Sequence, residues 1–559
     1  MSRTTNVKIS YGLFDKTAAE DGSMSMSDMQ DFSDLTELVD EKSTIQKWMT
    51  LEDDGCTLDG SFVFLPENIA DEFMGIWSKE LSGEDGVFTN PPIFEVSFSE
   101  AHTSGGITLI FSEVTGDWCD SLHMVWLGIN GEILSEKDFT PDKGCYFCEN
   151  QVEDYYGLNI TFSKTNLPNH FLKFTGIRYG VSMEIQGESL IKCSILEEID
   201  PISSVLTINT LNFSFHTEKG EFDLLDLSGA FVLFQQRQSV QVTGRIDETE
   251  MNMGTFYLDK PTVNGNVVSM SCIDLIGVMD DTNYFGGYWP EGITAGALIS
   301  DIFTSADITS DFYEIGPDLQ EKTVYGYLPI CSHRKALQQV AFALGAVVDC
   351  SRSEKVKIQT LTRTEAKTVP LERKIIGSSQ ENTSLVTGIE IFTHHYHLSN
   401  QATEILQEQM DPGEHLIEFS QPTTNLSISG ATILKQGINF VRISVASATM
   451  VTISGYCYED STKLSGSVYL ENLPANARAN VKQITDCTLY SQPQSVAEQI
   501  FAQVQRRTKG TTSVLLSDEV AGDWLMLSSH TGKALTGIAE QINIDLTGGM
   551  IGKVVVCGE

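Results

Sequence analysis

The chain is short of positive charge: 36 Lys and Arg stand against 76 Asp and Glu in 559 residues, a formal net charge of −40 at pH 7. A surface of that sign repels a phosphate backbone, which argues against gripping nucleic acid by counterion release. It suits a solubilising surface, or one past which nucleic acid slides without sticking. Proline is scarce, at 15 residues, and no low-complexity tract parts the chain. Its domains are therefore expected to touch rather than hang on flexible linkers. No apolar run reaches the roughly 18 residues of a membrane-spanning helix. Met1-Ser2-Arg3-Thr4 opens a polar stretch with no apolar signal core behind it. The 11 cysteines are scattered and odd in number, which does not read as a disulfide framework. Synthesis in a reducing host cytoplasm is the expectation. G-x-S-x-G, H-E-x-x-H, G-x-x-x-x-G-K and G-x-G-x-x-G are all missing. So many acids place carboxylate pairs everywhere, so such pairs mark nothing. No catalytic, cofactor or metal residue is assigned, and an enzyme is not expected.

What is present is ordinary globular material, 41% hydrophobic, enough for roughly four domains of about 150 residues. Residues 1–50 read as a polar, acidic N-terminal segment. Ser27 is placed to cap a short helix carrying Met29, Phe32, Leu35 and Val39. From 51 to 180 the text turns to short strands. Ile107–Phe111 and Leu122–Leu127 are compact apolar runs, the second closed by a turn at Asn130-Gly131. Asn159–Ser163 alternates with Ile160 and Phe162 on one face. Strands and turns at close spacing predict a sandwich.

A second β-rich block, 181–285, carries the alternating Leu211, Phe213 and Phe215, then Val240 and Val242, then Gly254–Leu258. Between 286 and 364 the pattern mixes helix with strand. Thr294 caps a helix that turns Leu298, Ile299, Ile302 and Phe303 inward, and Ser332 caps one with Leu337, Val340, Ala341 and Leu344, stopped by Gly345. A hairpin, Ala346–Cys350 with Val356–Ile358, completes a compact α+β unit. Residues 365–480 read as strands. The portion 481–559 holds one helix, with Ser495 and Glu498 as a capping box over Ile500, Phe501 and Val504. Strands then follow to the end.

Three groups of residues are candidates for chemistry. His394-His395-Tyr396-His397 puts His395 and His397 on one face of a strand, workable metal spacing without a marked acidic or Cys partner. The plainer reading is a strand end. Cys145 and Cys148 are half a zinc site at most, with Cys119 the nearest further thiol. Trp126, between Val125 and Leu127, reads as core. Trp118, in the polar stretch Thr115–Trp118, is the one glycan-stacking candidate.

Two stretches resemble known families. Residues 91–180 resemble a galactose-binding-like jelly roll of phage and prophage tail proteins, through Phe94–Ser99, Gly106–Phe111, Leu158–Phe162 and Phe171–Gly180. Residues from about Val181 to Glu559 are similar to phage tail baseplate hub proteins. That similarity is carried by Met253–Leu258, Gly326–Pro329, Arg334–Ala341, Ala521–Asp523 and Asp545–Gly549. It implies a mainly β, multidomain chain: a jelly-roll sandwich, two hub β-barrels at 181–285 and at 365–400 with 480–559, and a small α+β domain. It further implies a structural, non-enzymatic homotrimer at a virion tail tip, with no cofactor. The implied partners are itself, a distal tail protein, a tape measure protein and fibre or receptor-binding proteins, with DNA passing through unbound. The competing expectation is a host-surface glycan-binding tail protein.

Overall fold

The computed structural model describes residues 3–559 apart from 15, 40–45, 54, 58–60, 65–72, 113, 218–238, 248, 474–475, 477 and 530–531. The fold is mainly β and multidomain, as expected. The chain divides into two compact units, residues 10–185, and residues 1–9 with 186–559.

The first unit is built on two long strands, Ile93–Phe111 and Cys145–Thr165, which pair with each other. Around them the neighbour order is Ile76–Trp77, Lys173–Arg178, Ile93–Phe111, Cys145–Thr165, Cys119–Leu127, Ile133–Phe139. The ladder slips between Ser97 and His102 and again up to Gly106, irregularities that bend a strand and let one sheet fold over its own core. At Gly106, φ is +150°, and a Cβ would meet the Cys148 carbonyl oxygen at 2.4 Å, so the crossing needs glycine. The alternating apolar residues meet inside: Phe94, Leu109, Phe111, Trp126, Ile160, Phe162 and Phe174 are all fully buried. Edge-to-face contacts such as Phe94 on Phe174, 5.3 Å between centroids, fill the centre.

Part of the segment read as a separate N-terminal stretch, 1–50, packs into this sandwich, while residues 1–9 belong to the second unit. Ser23–Met26 pairs with Phe94–Ser97, and Met24, Met26, Met29 and Leu35 pack on the same core. The Ser27-capped helix is not formed. Ser27 lies in a bend just after the strand Ser23–Met26, its Oγ accepting from the Ile93 amide at 2.9 Å. A single turn of 3₁₀ helix, Leu35–Leu38, is capped instead by Asp34. Strand pairing satisfies backbone groups that the short helix would have left to water.

In the second unit, strands from the two expected barrels lie in one continuous sheet. Its neighbour order is Lys374–Asn382, Thr508–Leu515, Ile551–Gly558, Leu535–Asp545, Leu190–Glu198, Thr210–His216, Val267–Ile273, Thr249–Asn264, Ser239–Ile246. The join is antiparallel pairing of Ser194–Glu198 with Gln541–Asp545. Residues 218–238 of the expected first barrel lie outside the described residues. Gly388–Leu398 and Val481–Cys487, assigned to the second barrel, instead pair with each other in parallel, in a separate sheet with Thr449–Tyr469. Alternation marks a strand's faces but not its neighbours, which is why the grouping shifted. The strands between 403 and 453 close a smaller core of Val441, Ile443, Val445, Val451 and Ile453.

The two helices expected between 286 and 364 form at their expected caps. Helix Ala295–Ser305 starts at Thr294, whose side chain accepts from the Ala297 amide, and buries Leu298, Ile299, Ile302 and Phe303. Helix His333–Leu344 starts at Ser332, which accepts from Lys335, and ends at Gly345 with φ +63°. The hairpin Val347–Asp349 with Val356–Gln359 packs on the same core, which also takes in Leu275, Val324 and Leu328. The last helix, Pro493–Val504, begins two residues before the expected cap. Pro493 occupies the first turn, where its missing N–H costs nothing. Glu498 accepts from the Gln494 side chain rather than closing a capping box with Ser495.

Candidate functional site

In the first unit, the loop after Phe111 returns toward the strand Lys173–Arg178 and brings four titratable side chains together. Lys173 Nζ lies 2.8 Å from Glu52 Oε2 and 2.5 Å from Asp117 Oδ2, and all three side chains are at most 2% exposed. His170 Nδ1 is 2.7 Å from Asp117 Oδ1, and Lys173 Nζ sits 5.0 Å from the centre of the Trp77 ring. Glu52 also accepts from the Phe171 amide at 2.9 Å and from the Thr50 hydroxyl at 2.5 Å. Glu52, Asp117 and His170 offer ligand atoms within 4.8 Å of one another, a set suited to a cation. The Lys173 ammonium already supplies positive charge between the carboxylates. The arrangement therefore acts as a buried clamp on three chain segments. Sequence reading missed it because its members are far apart in the chain.

Trp118 follows directly after the clamp. It is half-buried against the sandwich core. Asn166 holds its backbone from both sides, accepting from the Trp118 amide at 2.9 Å and donating its own amide to the Trp118 carbonyl at 3.0 Å. The indole Nε1 is buried and meets no acceptor among the described residues. The ring is thus partly spent on packing, which leaves less of it for stacking on a sugar. Trp126 is fully buried, as expected.

An open groove of about 510 Å³ crosses the sheet of this unit away from the clamp, and sequence reading did not find it. The register lines up Ser25, Glu95 and Asn159 in one row, and Ser23, Ser97, Gly157 and Leu127 in the next. The only sequence signal was polar residues alternating with the core-facing ones. Near this face Asp21 accepts from the amides of Ser99 at 2.8 Å and Glu100 at 3.0 Å, and lies 3.2 Å from His102 Nε2. The Ser99 hydroxyl bond, then the Glu100 amide bond, hold its carboxyl down at about 2.

The histidine cluster of the second unit is engaged by its neighbours. His394 Nδ1 lies 2.6 Å from Asp460 Oδ2, and its Nε2 lies 2.6 Å from the Thr485 carbonyl oxygen. Burial works against the charged form, but the bonds to Thr485 and Asp460 outweigh it and raise the imidazole above its ordinary value. His395 Nε2 is 3.0 Å from Thr393 Oγ1. Among the described residues no third ligand joins His395 and His397. Cys145 is half-buried and Cys148 buried, with its thiol pushed up by burial first and by Cys119 second.

No family model matches the chain, and no curated protein does. Among solved structures, the chain is similar to a 43 kDa tail protein of prophage MuSo2 from Shewanella oneidensis, at 9% identity and a TM-score of 0.38, over 67% of this chain and 93% of that one. It is similar to prophage tail protein gp18 from Listeria monocytogenes at 10% identity and a TM-score of 0.36, over 67% and 91% of the two chains. Discoidin II from Dictyostelium discoideum matches 47% of this chain and 97% of its own, at 11% identity and a TM-score of 0.20.

Proposed function

We propose that the chain is a structural component of a phage-type tail tip, a baseplate hub that closes the tail tube as a ring of three copies. In this reading it lines the channel through which DNA leaves, and it joins distal tail, tape measure and receptor-binding proteins. The observation that carries the reading is the continuous sheet of the second unit, in which strands 190–273 and 508–558 become one wall. Such a wall, built from distant parts of the chain and rigid through its ladders, suits a load-bearing ring. The formal charge of −40 suits a lumen that DNA slides past, because like charge keeps phosphates from binding. The order of the hub-like segments along residues 181–559 supports the same assignment. An electron-microscopy map of the particle tests it: density for this chain in a threefold ring at the tube end is the expected result, and density confined to a fibre overturns it.

A second reading, a host-surface glycan-binding tail protein, draws on one observation, the polar groove of the first unit. The two are compatible in one chain, since the groove and the wall belong to different units.

A further inference from the structure

We propose that the groove on the first unit binds a small, neutral, polyhydroxylated ligand of one or two sugar rings, an inference that rests on the glycan-binding reading and gives it a place other than Trp118. The volume of about 510 Å³ falls within the usual range for small-molecule sites, roughly 300–1,000 Å³. Its floor is set by Gly157. That residue stands between Ser97 and Leu127 in the register, and with no side chain there the row drops to the backbone. A Cβ at Gly157 would meet Leu127 Cβ and the Val96 carbonyl oxygen at ordinary contact distance, 3.4 Å, so a long side chain there would have to project into the groove.

The lining has the chemistry of a hydroxyl reader. Ser25, Glu95, Tyr156 and Asn159 all line the groove, and among the described residues their side chains make no hydrogen bond. A hydroxyl, a carboxylate, a phenol and an amide are thereby left with both donor and acceptor capacity. Ser97 and Ser99, by contrast, are turned to Ser23 and Asp21. On one side the polar row gives way to Leu127 and to Ile129, which is 67% exposed. An apolar shelf beside converging polar groups fits a pyranose ring, which carries C–H faces and hydroxyl edges. Among the described residues that line the groove, Glu95 is the one charged side chain. With Asp21 close by and an acidic chain around it, the groove selects against sialic acids, phosphates and other anions.

Saturation-transfer NMR on the full chain tests this with galactose, glucose, N-acetylglucosamine and lactose as neutral probes, and N-acetylneuraminic acid as the anionic one. At least one neutral sugar is expected to bind, with the anionic one at least tenfold weaker. Asn159→Ala, a surface change, should weaken the neutral sugar at least tenfold, and Gly157→Leu should abolish its signal by filling the floor. Trp118→Ala should leave it within twofold. An unchanged melting curve for Asn159→Ala keeps that variant decisive if Gly157→Leu does not fold. Binding lost with Trp118→Ala but kept in Asn159→Ala would overturn the groove and leave the glycan reading standing. No signal from any neutral sugar would overturn both.

Discussion

Arg352 Nε donates to Glu197 Oε1 at 2.7 Å, with the two side chains only 9% and 1% exposed. Arg352 sits in the turn of the α+β hairpin at φ +51°. Glu197 lies on the strand Leu190–Glu198 that joins the two halves of the large sheet. Arg352 also donates to the Glu519 carbonyl oxygen at 2.8 Å, while the Glu519 carboxylate accepts from Arg373 at 2.6 and 2.8 Å and from the Ser517 amide at 2.8 Å. Two ion pairs and the Arg352 bond to the Glu519 carbonyl thus tie the hairpin, the central strand and the loop before Trp524 together.

Removing one partner of that pair leaves a charge buried alone. Arg352→Met is therefore expected to cost about 3–5 kcal/mol in urea unfolding. Glu197→Gln with Arg352→Met should recover most of the loss, since both charges then go together. A single variant within about 0.5 kcal/mol of the parent, the range of ordinary surface changes, would show that the pair is not holding the hairpin.

The clamp of the first unit predicts a similar asymmetry. Lys173→Met leaves the Glu52 and Asp117 carboxylates buried without their cation and should destabilise by about 3–5 kcal/mol. Adding Zn²⁺ or Mn²⁺ to a Lys173→Ala variant should raise its melting temperature by replacing the lost charge with a metal held by Glu52, Asp117 and His170. A melting temperature indifferent to both ions would mean that the lysine site cannot reorganise as a metal site.

Two carboxylates give opposite pH signatures. Asp274 is fully buried, and desolvation lifts it to about 6 despite hydrogen bonds from the Asn209 and Gly277 amides. Its folded form holds the proton more tightly than the unfolded chain, whose value is the ordinary 3.8. The stability it contributes is full below about 3.8 and is lost as pH rises through about 6, a change of about 3 kcal/mol. Asp274→Asn should flatten that part of the profile. Asp21, held down to about 2, does the reverse: its contribution is present above 3.8 and lost as pH falls toward 2. Carbon-detected NMR titration of the two carboxyls checks both signs.

Purified chain is expected to release neither reducing sugar nor muropeptides from bacterial glycans and peptidoglycan. The sequence contains no recognised nucleophile–base or metal-hydrolase motif. Release that disappears on mutating one carboxylate would make the protein an enzyme and reverse this prediction.

Assembly is expected to place three copies around a negatively charged channel through head-to-tail contacts, which present different patches on the two sides of each subunit. A map with six copies per ring, or one with a basic channel wall, is the contrary result.

Local chemistry was readable from the sequence wherever neighbours in the chain decide the outcome. Thr294 and Ser332 capped their helices because a side-chain oxygen reaches an amide three residues on. Ile160 and Phe162 went inward because a strand alternates. Where two local signals competed, position prevailed: Pro493 started its helix ahead of Ser495, and bonding to Ile93 at the end of a paired strand took Ser27 away from capping. Tertiary structure alone decided what depends on distant residues. Ile195 opposite Ile544 merged strands read as separate barrels, and the Lys173 clamp drew in Glu52 from 121 residues away. The groove, too, exists only in the register that sets Ser25, Glu95 and Asn159 side by side. A hydrophobic pattern specifies which face of a strand is buried, but many neighbours can cover that face, and the choice among them is made by packing over the whole fold.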